Sequence, residues 1–252
     1  MNPVRLYSFS EPCPYLAGKT SSGEFMEEEE FFGGYETLLT FGWRRSGRLL
    51  YRYRCPGCSL CTPVRLPVAR LHRSKRFARL SRLNHGINLK LCPAEFKEEY
   101  FRLYENYVRI RHDCRETATE ESFRSLFDAP MAALTEYRDP SNRLFALGFL
   151  DILPRGLSSV YFAFDPGEAR RSLGAWSIYL ESALAAAMGK DWYYLGFWVP
   201  EAPKMDYKAD FSPIQLALPS RPPSEAGIET PKWIEFAGKA EALLGLAAAA
   251  HR

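Results

Sequence analysis

Three cysteines two residues apart, Cys55, Cys58 and Cys61, stand in a stretch that holds no acidic residue between Glu36 and Glu95 but thirteen Lys and Arg. Each Cys-x-x-Cys turn puts two sulfurs within about 4 Å of one another, so thiolates at this spacing can reach one metal centre. A fourth ligand must come from elsewhere. Cys13 suits that place, because Pro12 and Pro14 hold it in a rigid turn, whereas Cys92 and Cys114 border helical segments. The donor set fits a cubane iron-sulfur cluster or, through its Cys-Pro-x-Cys knuckle, a zinc ion; the spacing does not choose between them. The plainer alternative is free thiols, which describes Cys92 and Cys114 better than the other four.

The basic stretch polarises a nearly neutral chain. All 252 residues sum to a formal charge of +3, and without that stretch the balance is −10. A cationic segment against an acidic remainder attracts a phosphate backbone, so RNA, DNA and an anionic membrane surface are the partner classes that charge alone admits. Within the stretch Arg73, Lys75, Arg76, Arg79 and Arg82 accompany His72 and Phe77, and Ser74 is placed to cap a helix carrying them. No acid intervenes to form compensating pairs, so this helix can lay its cations along phosphates. The longest uncharged apolar stretch, near Leu243 to Ala250, is too short to cross a bilayer, and no signal-like start is present. The expectation is a cytoplasmic protein with no membrane partner, whose cysteines bind metal rather than form disulfides.

The elements that must position these groups follow from periodicity. The first thirty residues, with Pro12, Pro14, Gly18, Gly23 and the run Glu27 to Glu30, read as a loop or helix start. From Tyr35 to Tyr53 a short helix precedes a hairpin turning at Ser46-Gly47, and Val64, Leu66 and Val68 form a strand that Pro67 marks as an edge. A helix is expected from Glu95 to His112 and a shorter one near Glu120 to Phe127. Strands Ala132 to Tyr137, Leu144 to Leu153 and Ser158 to Phe164 should form an antiparallel meander. An Ala-rich helix from Ser172 to Met188 then leads to a buried strand, Trp192 to Val199; a linker near Pro219 to Pro223 precedes a helix from about Lys232 to Ala249. This is an α+β layout with an N-acetyltransferase-like (GNAT-type) core at 93–218. A cysteine-containing amino-terminal region at 1–92 precedes it, and a linker and helix at 219–252 follow.

Several ordered blocks carry a resemblance. They are Glu11-Pro12-Cys13-Pro14-Tyr15-Leu16-Ala17-Gly18-Lys19, Phe41-Gly42-Trp43-Arg44-Arg45-Ser46-Gly47 and Tyr51 through Arg65. Towards the carboxy terminus come Asp165-Pro166, Arg171-Ser172-Leu173-Gly174, Tyr194-Leu195-Gly196-Phe197-Trp198 and Pro203-Lys204-Met205-Asp206-Tyr207-Lys208. Together, from about Tyr7 to Leu216, the chain resembles the aminoacyl-tRNA protein transferases of the N-degron pathway, the arginyltransferases and their bacterial leucyltransferase relatives. The resemblance implies transfer of an amino acid from its tRNA to the amino terminus of a protein. No ATP is needed, because the aminoacyl ester is already activated, and the chain has no Gly-x-x-x-x-Gly-Lys loop. Coenzyme A is not expected either, for want of a Gly-rich pyrophosphate turn.

The implied chemistry assigns roles. A neutral amine attacks the ester carbonyl, an oxyanion forms and the ribose hydroxyl leaves. Asp165, Ser172, Tyr207 and Lys208 are the catalytic candidates. Lys204 and Lys208 are placed to hold the tRNA end or the acceptor's carboxylate, and Tyr161 and Trp198 to stack on the terminal adenine or pack in the core. Acceptors of this family begin with an acidic residue, for which Arg44, Arg45 and Arg65 suit bidentate pairing. Leu16, where the eukaryotic arginyltransferases carry a second cysteine, together with the Cys-x-x-Cys-x-x-Cys block, favours leucyl-tRNA as donor. The alternatives are arginyl-tRNA, or a tRNA- or nucleic-acid-binding module without catalysis.

Overall fold

The amino-terminal segment expected as a loop is an antiparallel hairpin of β1 (Tyr7–Pro12) and β2 (Thr20–Glu27). Sequence alternation hides it: β1 is exposed almost throughout, and two of the three buried positions in β2 are Ser21 and Gly23. The computed structural model describes residues 5–27, 34–111, 117–219 and 231–250. Cys114, Glu28 to Glu30 and most of the expected linker at Pro219 to Pro223 lie outside them.

The chain continues through α1 (Tyr35–Thr40), β3 (Arg44–Ser46), β4 (Leu49–Tyr53) and β5 (Thr62–Pro67), with the expected hairpin turning through Gly47 at φ 59°. Next, α2 (Lys75–Leu83) starts at Ser74, whose hydroxyl accepts the Phe77 N–H at 3.4 Å, as its sequence predicts. A strand the periodicity missed, β6 (Asn88–Pro93), has only Cys92 buried, so it leaves little alternation to read. It delays α3 (Glu98–Arg111) to three residues past the expected start; Tyr100, Tyr104 and Val108 line its buried face. After α4 (Glu120–Ser125) come β7 (Ala132–Arg138), β8 (Leu144–Ile152) and β9 (Gly156–Phe164), the antiparallel meander expected. Then follow α5 (Leu173–Ala187), β10 (Trp192–Trp198), α6 (Pro203–Asp206), β11 (Ile214–Leu218), β12 (Lys232–Phe236) and α7 (Lys239–Ala250). The carboxy-terminal helix is therefore shorter than expected. Lys232 to Phe236 is a strand because it pairs antiparallel along the whole of β11, and the Trp233 indole donates to the Thr40 carbonyl at 3.0 Å.

Two compact units result, residues 1–72 with 194–252 and residues 73–193. The expected boundaries lie elsewhere, the first inside β6 and the second at the end of β11. Long-range pairing decides this, because β11 joins β5 and β12 although about 150 residues separate Gln215 from its partner Arg65. In the first unit one sheet has the order β1-β2-β4-β3, and β5 lies between β11 and β10 rather than at an edge. Pro67 is the last residue of β5, where a missing N–H interrupts no ladder. Phe197, Val199 and Ala202 pack there with Tyr15, Tyr51, Tyr53 and Met205. In the second unit, the meander and β6 carry a core of Tyr100, Tyr104, Phe123, Leu134, Leu147 and Phe149. The α+β class is as expected. Among the described residues, no helix is long and apolar enough to cross a membrane.

Candidate active site and cysteine centre

The first unit gathers all four predicted thiol ligands. Cys13 lies in the turn closed by its own N–H on the Lys19 carbonyl at 2.8 Å, and Cys55, Cys58 and Cys61 lie in the loop between β4 and β5. Backbone N–H groups of Leu16 and Ser22 approach the Cys13 and Cys55 sulfurs at 3.4 Å each, the kind of bond that stabilises a thiolate ligand. Burial, then the neighbouring Cys55, Cys13 and Cys58, pushes the Cys61 thiol up to about 12. As a donor set, four cysteine sulfurs suit zinc or an iron-sulfur cluster alike. Among the described residues, no three His, Cys, Asp or Glu side chains are drawn close enough to hold an ion. A pocket of about 610 Å³ opens beside the loop, walled by Phe41, Pro63, Phe197 and Leu246 and rimmed by Arg52 and Arg54.

The three arginines expected to read an acidic acceptor have different surroundings. Arg45 is buried and donates to the Gly47 carbonyl at 2.8 Å, bracing its own hairpin. Arg65, also buried, donates to Gln215 at 2.9 Å and to the Tyr194 hydroxyl at 3.3 Å, and stacks 4.2 Å from the Trp233 ring centre. These bonds tie β5 to β11 and β10. Arg44 instead faces Gly196 of β10, and so does Lys208, from the turn after α6. A Cβ added at Gly196 would stand 3.4 Å from Lys208 Nζ and 3.7 Å from Arg44 Nη2. Gly196 has φ +85°, a conformation that L side chains rarely adopt. Burial, and then the Arg44 guanidinium, brings Lys208 down to about 7. The sequence signal for Gly196 was a glycine inside a buried strand, which marks a bulge or a close approach. Tyr207 precedes Lys208 in the same turn, and Lys204 is exposed on α6. Trp198 is wholly buried, so it presents no face for an adenine.

The remaining candidates belong to the second unit. Asp165 caps the 3-10 turn at 166–171, accepting the Gly167 N–H at 2.9 Å and an Arg143 N–H at 2.8 Å. Ser172 ends that turn at φ 54°, a left-handed conformation unusual for a residue with a side chain, and starts α5. Tyr161 packs edge-on against Tyr104, Tyr107 and Phe149, as part of the core rather than an open platform. Arg73, just ahead of the α2 cap, and Lys75, Arg79 and Arg82 on α2 are exposed, and Arg76 is half-buried. Leu80 is the helix's buried anchor, with Phe77 against Trp176 and Tyr179. The stripe thus points its cations outward from a packed support.

Comparison with known proteins gives the class first. Family signatures described as arginine-tRNA-protein transferase, N terminus and C terminus, match residues 11–79 and 99–218. An aspartate/glutamate leucyltransferase of Nitrosococcus oceani is 36% identical over 212 residues, covering 82% of this chain and 89% of the relative. Those of Chromohalobacter salexigens and Pseudomonas fluorescens are 36% and 34% identical, covering 81% and 83% of this chain and 85% and 91% of theirs. The chain belongs to this family of aminoacyl-tRNA protein transferases, the aspartate/glutamate leucyltransferases. A solved DUF2156 C-terminal domain from Agrobacterium fabrum aligns loosely, with a TM-score of 0.46 at 11% identity over 75% of this chain and 63% of that one.

Proposed function

We propose that this protein transfers leucine from leucyl-tRNA to the amino terminus of proteins that begin with Asp or Glu. Its similarity to aspartate/glutamate leucyltransferases along nearly their whole length carries this reading. The acceptor's α-amine, neutral in useful amounts near pH 8, attacks the carbonyl carbon of the leucyl ester. The new C–N bond forms a tetrahedral oxyanion; its collapse breaks the C–O bond and returns the ribose hydroxyl, which takes up the proton that the amine loses. Neither ATP nor coenzyme A enters. Holding ester and amine in register supplies most of the acceleration. Arg73, Lys75, Arg76, Arg79 and Arg82 bind tRNA phosphates, and Lys204 and Tyr207 serve the tRNA end. Asp165 acts through the turn it caps, which sets the start of α5 and Ser172 within a GNAT-type core.

Cys13, Cys55, Cys58 and Cys61 hold zinc or an iron-sulfur cluster, which would cross-link two loops of the first unit. Stoichiometric zinc in colourless protein, or iron with visible absorbance from an anaerobic preparation, identifies the group; retention of full metal content by Cys13→Ser would remove Cys13 from the ligand set. For the reaction, purified protein is given radiolabelled Leu-tRNA or Arg-tRNA and a peptide beginning with Asp. Labelling from Leu-tRNA alone is expected. Labelling from Arg-tRNA alone overturns the donor, and tight tRNA binding with no labelled peptide reduces the protein to a binding module. The reaction takes place in the cytoplasm, where aminoacyl-tRNA is found.

A further inference from the structure

Within the second unit, α2 is fastened along its whole length. At its start the Ser74 hydroxyl lies 3.2 Å from the Tyr179 hydroxyl of α5; further on, the Phe77 ring packs 5.7 Å from Trp176 and 5.0 Å from Tyr179. At its end two bonds run in opposite senses. Asn84 Nδ2 donates to the Arg171 carbonyl at 3.0 Å, and Arg171 Nη1 donates to the Leu83 carbonyl at 2.7 Å. A guanidinium suits this place, because the last carbonyls of a helix carry negative partial charge. Arg171 also holds Glu168 at 2.7 Å, Glu168 lies 3.1 Å from Arg143, and Arg143 binds Asp165 at 2.8 Å. One amide and one guanidinium thus join the end of α2 to both acids of residues 165–171.

Two unfavourable features fall at this joint. Asn84 is buried, yet its Oδ1 has no hydrogen-bond partner among the described residues, a loss that an apolar residue or a glycine at the cap would avoid. Ser172, next after Arg171, holds φ 54°, which a residue with a side chain keeps only where its surroundings fix it. Its carbonyl accepts the Ala175 and Trp176 N–H groups at 3.0 Å each, so its angle sets the direction in which α5 begins. We infer that Asn84 and Arg171 are positioning residues that couple donor binding on α2 to the turn ending at Ser172. The inference rests on the transferase reading above, in which α2 takes tRNA phosphates. Lys75, Arg79 and Arg82 lie exposed on α2, and the joint is made by its last residue, Leu83, and its cap, Asn84. A nine-residue helix is about 14 Å long and stiff, so a load on its cations reaches the joint through a continuous set of bonds. Binding energy gained at the phosphates thereby helps to hold the conformation at Ser172, which the tRNA-free protein holds unaided.

The test measures hydrogen exchange of backbone amides with and without deacylated leucine tRNA, in wild type, Asn84→Ala and Arg171→Gln. In the wild type, tRNA should slow exchange both on α2 and at residues 166–175. In either variant the slowing on α2 should remain while that at 166–175 is lost. With Leu-tRNA and a peptide beginning with Asp, both variants should lower kcat about 10-fold and leave KM for Leu-tRNA within about 2-fold of wild type. Arg171→Lys, which keeps the charge and a donor, should recover part of both effects. Arg171 is half-buried, so its variants make the same comparison if Asn84→Ala does not fold. Slowing at 166–175 that persists in the variants, its absence from wild type with α2 protected, or a kcat loss matched by a rise in KM overturns the coupling. Bound tRNA that leaves exchange on α2 unchanged in wild type would instead sink the reading of α2 as the donor site, on which the coupling depends.

Discussion

Glu136 shows how one buried charge is kept. It accepts from the Tyr100 hydroxyl and from Arg138 at 2.9 Å, while Arg138 also holds Glu99 at 2.7 Å. Burial opposes its ionisation, but Arg138 and Tyr100 outweigh burial and hold the carboxyl down to about 2. A folded pKa below the unfolded value means stability that is present above about pH 4.5 and lost as pH falls towards about 2. Glu136→Gln should remove up to about 3 kcal/mol of that acid-dependent term, read as a flatter stability curve between pH 2 and 4.5 in urea titrations. Lys208 has a dependence of the same sign at higher pH, but there the charged form is the one that folding penalises. Its pKa falls from 10.5 to about 7 on folding, so the unfolded chain binds more protons and stability from this residue rises with pH across that window. Lys208→Met should therefore stabilise the free protein most below pH 7, with the advantage gone by pH 10.5; a pH-independent difference would refute the burial argument. Glu181, fully buried on α5, accepts from Thr135 at 2.9 Å, Tyr137 at 2.7 Å and Tyr193. Its place in an Ala-rich helix was visible in the sequence; its three partners were not, because they come from β7 and β10.

Among the elements, the regular ones were the legible ones. The meander, α5 and the capped α2 each bury a full apolar face or carry a specific cap, so their periodicity survives in the sequence. β1, β6 and β12 escaped because they are mostly exposed and owe their conformation to pairing with another strand. Gly196 belongs to this scale as well, since its φ of +85° sets the local course of β10. Gly196→Ala should cost about 1–2 kcal/mol through the disfavoured conformation. Thermal unfolding checks it, and a variant with wild-type Tm would show that the glycine is incidental.

For the whole molecule, the separation of charge is the property that the proposed function would use. An acid-free segment carrying thirteen cations on a nearly neutral chain should give binding of aminoacyl-tRNA that weakens steeply with salt. Replacing Arg79 and Arg82 by Gln should reduce the slope of log K against log salt by about 1–2 and weaken tRNA binding, while leaving the Asp-over-Asn preference intact. Filter binding across a salt series measures it, and an unaltered slope would remove α2 from the interface. The sequence by itself determined the cysteine spacing, the cationic helix, the α+β class and the family, because these are properties of residue type and short spacing. Only the tertiary structure decided which arginine of three comes up to Gly196, why Trp198 and Tyr161 serve the core, and how 1–72 and 194–252 make one unit. The place of Tyr161 is decided by the packing of α3 on β9, and the others depend on pairing among β5, β10 and β11, whose partners lie up to about 150 residues apart, beyond the reach of local propensity.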